Sequence, residues 1–214
     1  MKHYLSEDIA QLSSRFRANL INSITGYKSC NLIGTKSKEG CSNLAIFSSV
    51  IHIGSSPPLL GFILRPLTVR RDTFTNLMEL GYFTVNQVSA EIHQKAHQTA
   101  AKYEKEISEF VTTGLKEEYL DDFAAPYVAE SSIKIGCRYK NHYTLVENQC
   151  LLVIGSIERL YFPEEIQDTD GFLRLDKTDT IAAMGMDGYA LPAFLNRMSY
   201  ARPDSESSIL SDDT

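Results

Sequence analysis

The sequence predicts a mainly β protein, a Greek-key β-barrel with peripheral helices, organised as one domain over residues 1–202. Three observations carry this. Short β-rich runs bounded by turn residues recur from Tyr27 to Phe162. Helix-period segments are few and short, with no regular strand–helix alternation of the kind a doubly wound sheet needs. The 214 residues contain no internal repeat and suffice to bury one substantial core.

Residues 6–24 read as a helix. Ile9, Leu12, Phe16, Leu20 and Ile24 recur at three- and four-residue spacing, Ser6 is a capping residue, Glu7 and Asp8 sit in the first turn, and Gly26 ends the run. Its apolar stripe is expected to pack on a sheet. Asn31–Gly34 and Leu44–Ile53 read as β, separated by a polar hairpin turn at Lys36–Gly40 and closed by Ser55-Ser56-Pro57-Pro58. Leu59–Leu64 is a nearly continuous apolar strand, hence buried on both faces. Arg71–Leu80 reads as a short helix stopped by Gly81, and Tyr82–Val88 as a strand. Residues 89–101 form a helical piece with Ser89 as a capping residue, followed by an aperiodic acidic loop with helical turns from Lys102 to Asp122. Ser132–Val146 and Cys150–Phe162 are two long strands joined by a turn at Glu147-Asn148-Gln149. Asp168–Gly188 is polar and dotted with glycine. The acidic, serine-rich end, residues 203–214, is expected to be mobile.

The composition narrows the function classes. The hydrophobic fraction of 43% and charged fraction of 22% are ordinary for a globular protein, and the formal charge of −6 with no long basic run argues against nucleic acid as a partner. Cys30, Cys41, Cys137 and Cys150 form no CxxC pair, which favours reduced thiols over a zinc ribbon or dithiol motif. The N-terminus turns acidic where a signal peptide would turn apolar. No apolar run approaches the ~20 residues that span a bilayer, so a soluble, cytoplasmic protein without membrane contact is expected.

Two polar clusters flank a strand-length apolar segment, and paired strands would bring both to one end of a sheet. The first contains Asn43, Ser48 and Ser49, whose amide and hydroxyl groups suit the pyrimidine end of an isoalloxazine ring, although taken alone they read first as a plain polar edge strand. The second contains Arg65, Arg70 and Arg71, followed by Asp72 and Thr73 at a helix start. Guanidinium forks and free helix N–H groups bind phosphate, while the alternative is a solvated charged turn. Asp72 would repel a phosphate, so it is expected to cap the helix or hold an arginine. Together the clusters offer what a flavin mononucleotide (FMN) requires. No GxGxxG or Walker loop is present. His93 and His97 share a helix face but lack a third ligand, so no metal site is expected, and no serine sits in a G-x-S-x-G context.

The ordered set of motifs resembles the flavin reductase-like family of FMN-binding split barrels, which includes reductase components of two-component monooxygenases and flavoredoxin. The matching pieces are Ser42–Ser49, Arg70–Thr73 with Asn76, Phe83–Asn86, His97–Tyr103, Glu109-Phe110, Gly114-Leu115 and Gly188-Tyr189. The resemblance implies a homodimer with FMN at the dimer interface. By position it implies Asn43, Leu44, Ala45, Ser48 and Ser49 along the isoalloxazine and ribityl chain. Arg65, Arg70, Arg71 and Thr73 would serve the phosphate. Asn86, His97 and Tyr189 would lie close to the flavin or the partner subunit. The activity it implies is hydride transfer from NADH or NADPH to flavin, possible without a dedicated acid or base. The alternatives are electron transfer to a protein partner, such as a monooxygenase or other acceptor, and a flavin-binding module with little turnover.

Overall fold

In the computed structural model, which describes residues 1–104 and 106–210, antiparallel β-structure dominates. Seven strands form the main sheet: β2 (Asn31–Lys36), β3 (Ser42–Phe47), β4 (Ile51–Ser55), β5 (Pro58–Leu64), β6 (Tyr82–Gln87), β9 (Lys134–Thr144) and β10 (Leu151–Tyr161). Their order is β3-β2-β6-β9-β10-β5-β4. The two outermost strands, β3 and β4, are consecutive in the chain. In a flat sheet six steps of about 4.8 Å would set them about 29 Å apart. The four Cα steps from Phe47 to Ile51 reach no more than about 14 Å. The sheet must therefore be rolled into a barrel, split between β3 and β4, as the sequence leads one to expect.

Small elements decorate the barrel. They are α1 (Ser6–Gln11), α2 (Ser14–Ile24), α3 (Asp72–Leu80), α4 (His93–Gln98) and α5 (Glu109–Thr113), with β1 (Lys28–Ser29), β7 (Glu117–Glu118), β8 (Tyr127–Val128), β11 (Ala182–Met184) and β12 (Gly188–Ala190). β1, β11 and β12 make a second, three-stranded sheet. β2 is buried along nearly its whole length because both its faces are covered. Ile33 points into a core with Phe62, Phe83, Val85 and Val153, whereas its neighbour Leu32 joins Leu44, Val88, Ile92, Ala96 and Phe110 under α4 and α5. Phe47, Phe62 and Phe83 interlock edge-to-face at 5.1 and 5.6 Å.

Several expectations need correction. The 6–24 helix is two helices, because Leu12 and Ser13 adopt extended backbone and Ser13 starts the second. Leu5 rather than Ser6 is the first N-cap, its N–H donating to the Asp8 carboxylate at 2.9 Å. No residue of either helix is buried, and Phe16, Ile21 and Ile24 are exposed, so the apolar stripe does not pack on a sheet of this chain. The 44–53 run is two strands separated at the split. The 89–101 helix contracts to α4, since Ser89 instead forms a bridge with Thr180. In the 102–122 segment, Lys105 lies outside the described residues, and α5 and β7 supply the ordered turns. Of the acidic end, residues 203–210 fold back so that Ile209 bridges Met198, and 211–214 lie outside the described residues.

Candidate functional site

A cleft of about 670 Å³ opens beside the split, within the roughly 300–1,000 Å³ of small-molecule sites. One wall is the free edge of β3. Antiparallel pairing alternates hydrogen-bonded and open residue pairs. Ser37 N–H donates to Cys41 O, and Leu44 N–H donates not to β2 but to Glu109 Oε2 at 2.9 Å. Two residues further on, Ile46, paired with Leu32, therefore also turns its N–H and C=O away from the sheet. That peptide borders the cleft and offers adjacent donor and acceptor groups to a flat polar ring.

Asn43, Ala45, Ser48 and Ser49 line the same wall. Asn43 is held by a small network: its Nδ2 donates to Thr35 Oγ1 at 3.3 Å and Thr73 Oγ1 at 3.2 Å, while Asn76 Nδ2 donates to Thr35 Oγ1 at 3.0 Å. β2, β3 and the start of α3 are thereby fixed to one another. Ser49 Oγ accepts from Ile63 N–H and donates to Ile63 O, both at 3.1 Å, which ties the link across the split to β5.

Arg65, Arg70, Arg71 and Thr73 line the cleft where β5 passes into α3. The helix starts at Asp72 with Arg71 as N-cap. Its first intrahelical bonds run from Phe74 and Thr75 N–H to Arg71 O, so the Asp72 and Thr73 N–H groups remain available. Asp72 does not cap the helix; it holds Arg70, which donates Nε–H to Asp72 Oδ1 at 2.6 Å. Arg71 Nε is buried with no hydrogen-bond partner. An orphaned guanidinium N–H beside open helix N–H groups suits a phosphate, so the residues present fit the group that the sequence suggests.

α4 and the β11–β12 hairpin bring His97 and Tyr189. Tyr189 OH lies 2.7 Å from His97 Nδ1, and the His93 and His97 rings meet the phenol ring edge-on, each at 5.8 Å. Burial pushes the Tyr189 hydroxyl up to about 12, with Cys30 and Asp187 adding to it. His93 spends its Nδ1 on Ala90 O at 2.6 Å. Among the described residues no group of three or more His, Cys, Asp or Glu is arranged to hold a metal ion.

Ten of the twelve residues named from the sequence thus border one cleft, and two do not. Leu44 is fully buried, its side chain in the core. Asn86 is fully buried too: it donates to Leu32 O and Thr84 Oγ1 and accepts Val128 N–H at 3.0 Å, a brace between β2, β6 and β8. Lys102, Tyr103, Glu109 and Gly188, which the resemblance included without a site role, also border the cleft, as do Gly185 and Met186, which sequence reasoning missed. Burial raises the Glu109 carboxyl above the usual range, Asp72 adds to this, and the Leu44 N–H and Arg70 oppose it.

The rolled, split sheet is a split barrel, and the cleft beside the split is large enough for a nucleotide. The chain belongs to the flavin reductase-like domain family, whose sequence model matches residues 28–179. It is similar to a protein from Shewanella frigidimarina NCIMB 400 assigned as a flavin reductase with a split barrel domain (46% identity, TM-score 0.91, 94% of this chain and 100% of that one). Nitrilotriacetate monooxygenase component B from Bacillus cereus shares the fold at 22% identity and TM-score 0.81, covering 92% of this chain and 100% of that one. Flavoredoxin of Desulfovibrio vulgaris (Miyazaki F) shares it at 19% identity and TM-score 0.69, covering 96% and 98%. The uncharacterized protein YwrF of Bacillus subtilis (strain 168) is 25% identical over 186 residues, 84% of this chain and 91% of that one.

Proposed function

We propose that this chain is an FMN-dependent oxidoreductase that accepts hydride from NADH or NADPH and passes reducing equivalents to flavin or to an acceptor protein. The observation that carries the reading is the orphaned, buried Arg71 Nε in a cleft whose β3 edge leaves the Ile46 peptide open. Bound FMN would supply the hydride-carrying ring. The residues here supply placement. Arg71, Arg65 and the first-turn N–H groups of α3 would take the phosphate. The Ile46 peptide would pair with the polar edge of the ring, and the Asn43–Thr73 bond keeps these two ends at a fixed separation. His97 and Tyr189, hydrogen-bonded to each other, would set the contour of the cleft against which a second substrate packs.

The similarity to a monooxygenase component and to flavoredoxin supports an acceptor protein as partner. The exposed apolar residues of α2, with Leu191, Leu195 and Tyr200 near the C-terminal end, support a homodimer. Four free cysteines suit the cytoplasm.

Flavin fluorescence titration tests the site. FMN is expected to bind more tightly than riboflavin, which lacks the phosphate. Arg71→Gln should remove about 1.5–3 kcal/mol of FMN binding, the worth of a charged hydrogen bond, and leave riboflavin alone. Equal FMN affinity in wild type and variant would take the arginine turn out of the site.

A further inference from the structure

This inference rests on the flavin reading and concerns how firmly the phosphate is held. Among the described residues, six charged ones border the cleft: Arg65, Arg70, Arg71 and Lys102 against Asp72 and Glu109. The two carboxylates stand at the arginine turn rather than away from it. Asp72 opens α3, where the helix dipole favours an anion, so it already occupies part of the field a phosphate would use. It also engages Arg70 twice, Nε to Oδ1 at 2.6 Å and Nη2 to Oδ1 at 2.5 Å. A guanidinium held in this way has its charge offset and its Nε–Nη2 edge turned to the carboxylate, so that it keeps the remaining Nη hydrogens but not its paired fork for a phosphate. Arg71, one residue on, is in the opposite condition, with a buried Nε and no partner. Glu109 adds a second negative charge, held in place by Leu44 N–H at 2.9 Å.

We propose that Asp72 is the residue that limits nucleotide affinity: it withholds Arg70 from the phosphate, leaving Arg71 to carry the contact, and so keeps the flavin exchangeable. A chain of this kind would load and release FMN during turnover instead of retaining it. The acidic side chain beside the anion site is thus a setting of affinity, and its removal strengthens binding.

Five proteins decide the matter by fluorescence titration with FMN and, in parallel, riboflavin: wild type, Asp72→Asn, Arg70→Gln, the double variant of these two, and Arg71→Gln. Asp72→Asn should tighten FMN by about fivefold, the effect of freeing one half-exposed charge, and leave riboflavin unchanged. Arg70→Gln should alter FMN affinity less than about twofold in the wild-type background, yet cancel the gain when combined with Asp72→Asn. Unchanged or weaker FMN binding by Asp72→Asn would overturn the proposal. So would an Arg70→Gln loss in the wild-type background equal to that of Arg71→Gln. A wild-type protein that binds neither FMN nor riboflavin would instead sink the flavin reading beneath it.

Discussion

Leu44 and Glu109 show how one side chain joins fold to site. An N–H on the free edge of a barrel needs a partner, and the Glu109 carboxylate supplies it from a different element, 65 residues away in sequence. Half-buried for that purpose, Glu109 has its carboxyl raised above the ordinary value, mainly by burial. The folded state therefore binds this proton more readily than the unfolded chain. As pH rises from the unfolded value to the raised folded one, the group's contribution to stability falls. Glu109→Gln, which keeps the acceptor and drops the charge, should melt increasingly above wild type as pH rises across that window, and level with or below it at the acid end. Melting curves for the two proteins over the pH series check this, and a gap that shrinks toward neutral pH would contradict it. At this scale the arginines and the hydroxyl and amide groups of the cleft were legible, because phosphate and ring recognition draw on few residue types. So was the hold of Asp72 on an arginine, one of the two roles expected of it. The roles of Glu109 and Asn86 were not: both depend on partners brought close by tertiary structure, and spacing alone cannot separate a brace such as Asn86 from a ligand group.

Among the elements, α3 does most to place the site. Its apolar side, Leu77 with the half-buried Phe74, packs on the core shared with Phe62 and Phe83, while its first turn faces the cleft. Gly81, at φ +72°, closes it in the left-handed conformation that favours glycine. Leu77→Ala should cost about 2–5 kcal/mol of stability, and should weaken FMN binding as well because the helix start loses its support. Denaturant unfolding with a parallel titration checks both, and an unperturbed midpoint would show that α3 does not rest on that core. On β2, a Cβ at Gly34 would stand 2.3 Å from Pro126 O and 2.6 Å from Thr84 Oγ1. Gly34→Ala must therefore push backbone apart, and poor yield or a strongly lowered melting point is expected. The β2, β5, α3, β6 and β9–β10 hairpin boundaries were readable to within a few residues, since apolar runs and turn residues coincide there. The N-terminal helix and the 89–101 piece were read too long. Periodicity marks residues that suit a helix, and does not register the extended Leu12–Ser13 backbone or the competing Ser89–Thr180 bridge.

For the molecule as a whole, strand order is what sequence reading could least supply. Local patterns give strands; only the placing of β3 and β4 at opposite ends of the order, three residues apart in the chain, shows that the sheet rolls round on itself. The barrel then leaves α1 and α2 with no buried residue. Phe16, Ile21 and Ile24 are all exposed on one helix, which is the surface the proposed homodimer would use. Sedimentation of the purified protein is expected to give a dimer, and Ile21→Glu with Ile24→Glu should shift it toward monomer; a monomeric wild type would remove the homodimer from the account. The most direct test of the central claim is the visible spectrum of the FMN-loaded protein, followed without oxygen as NADH or NADPH is added. Prompt bleaching by at least one of the two is the predicted result, and a protein that binds FMN no better than riboflavin and leaves it oxidised with both nucleotides would contradict the account.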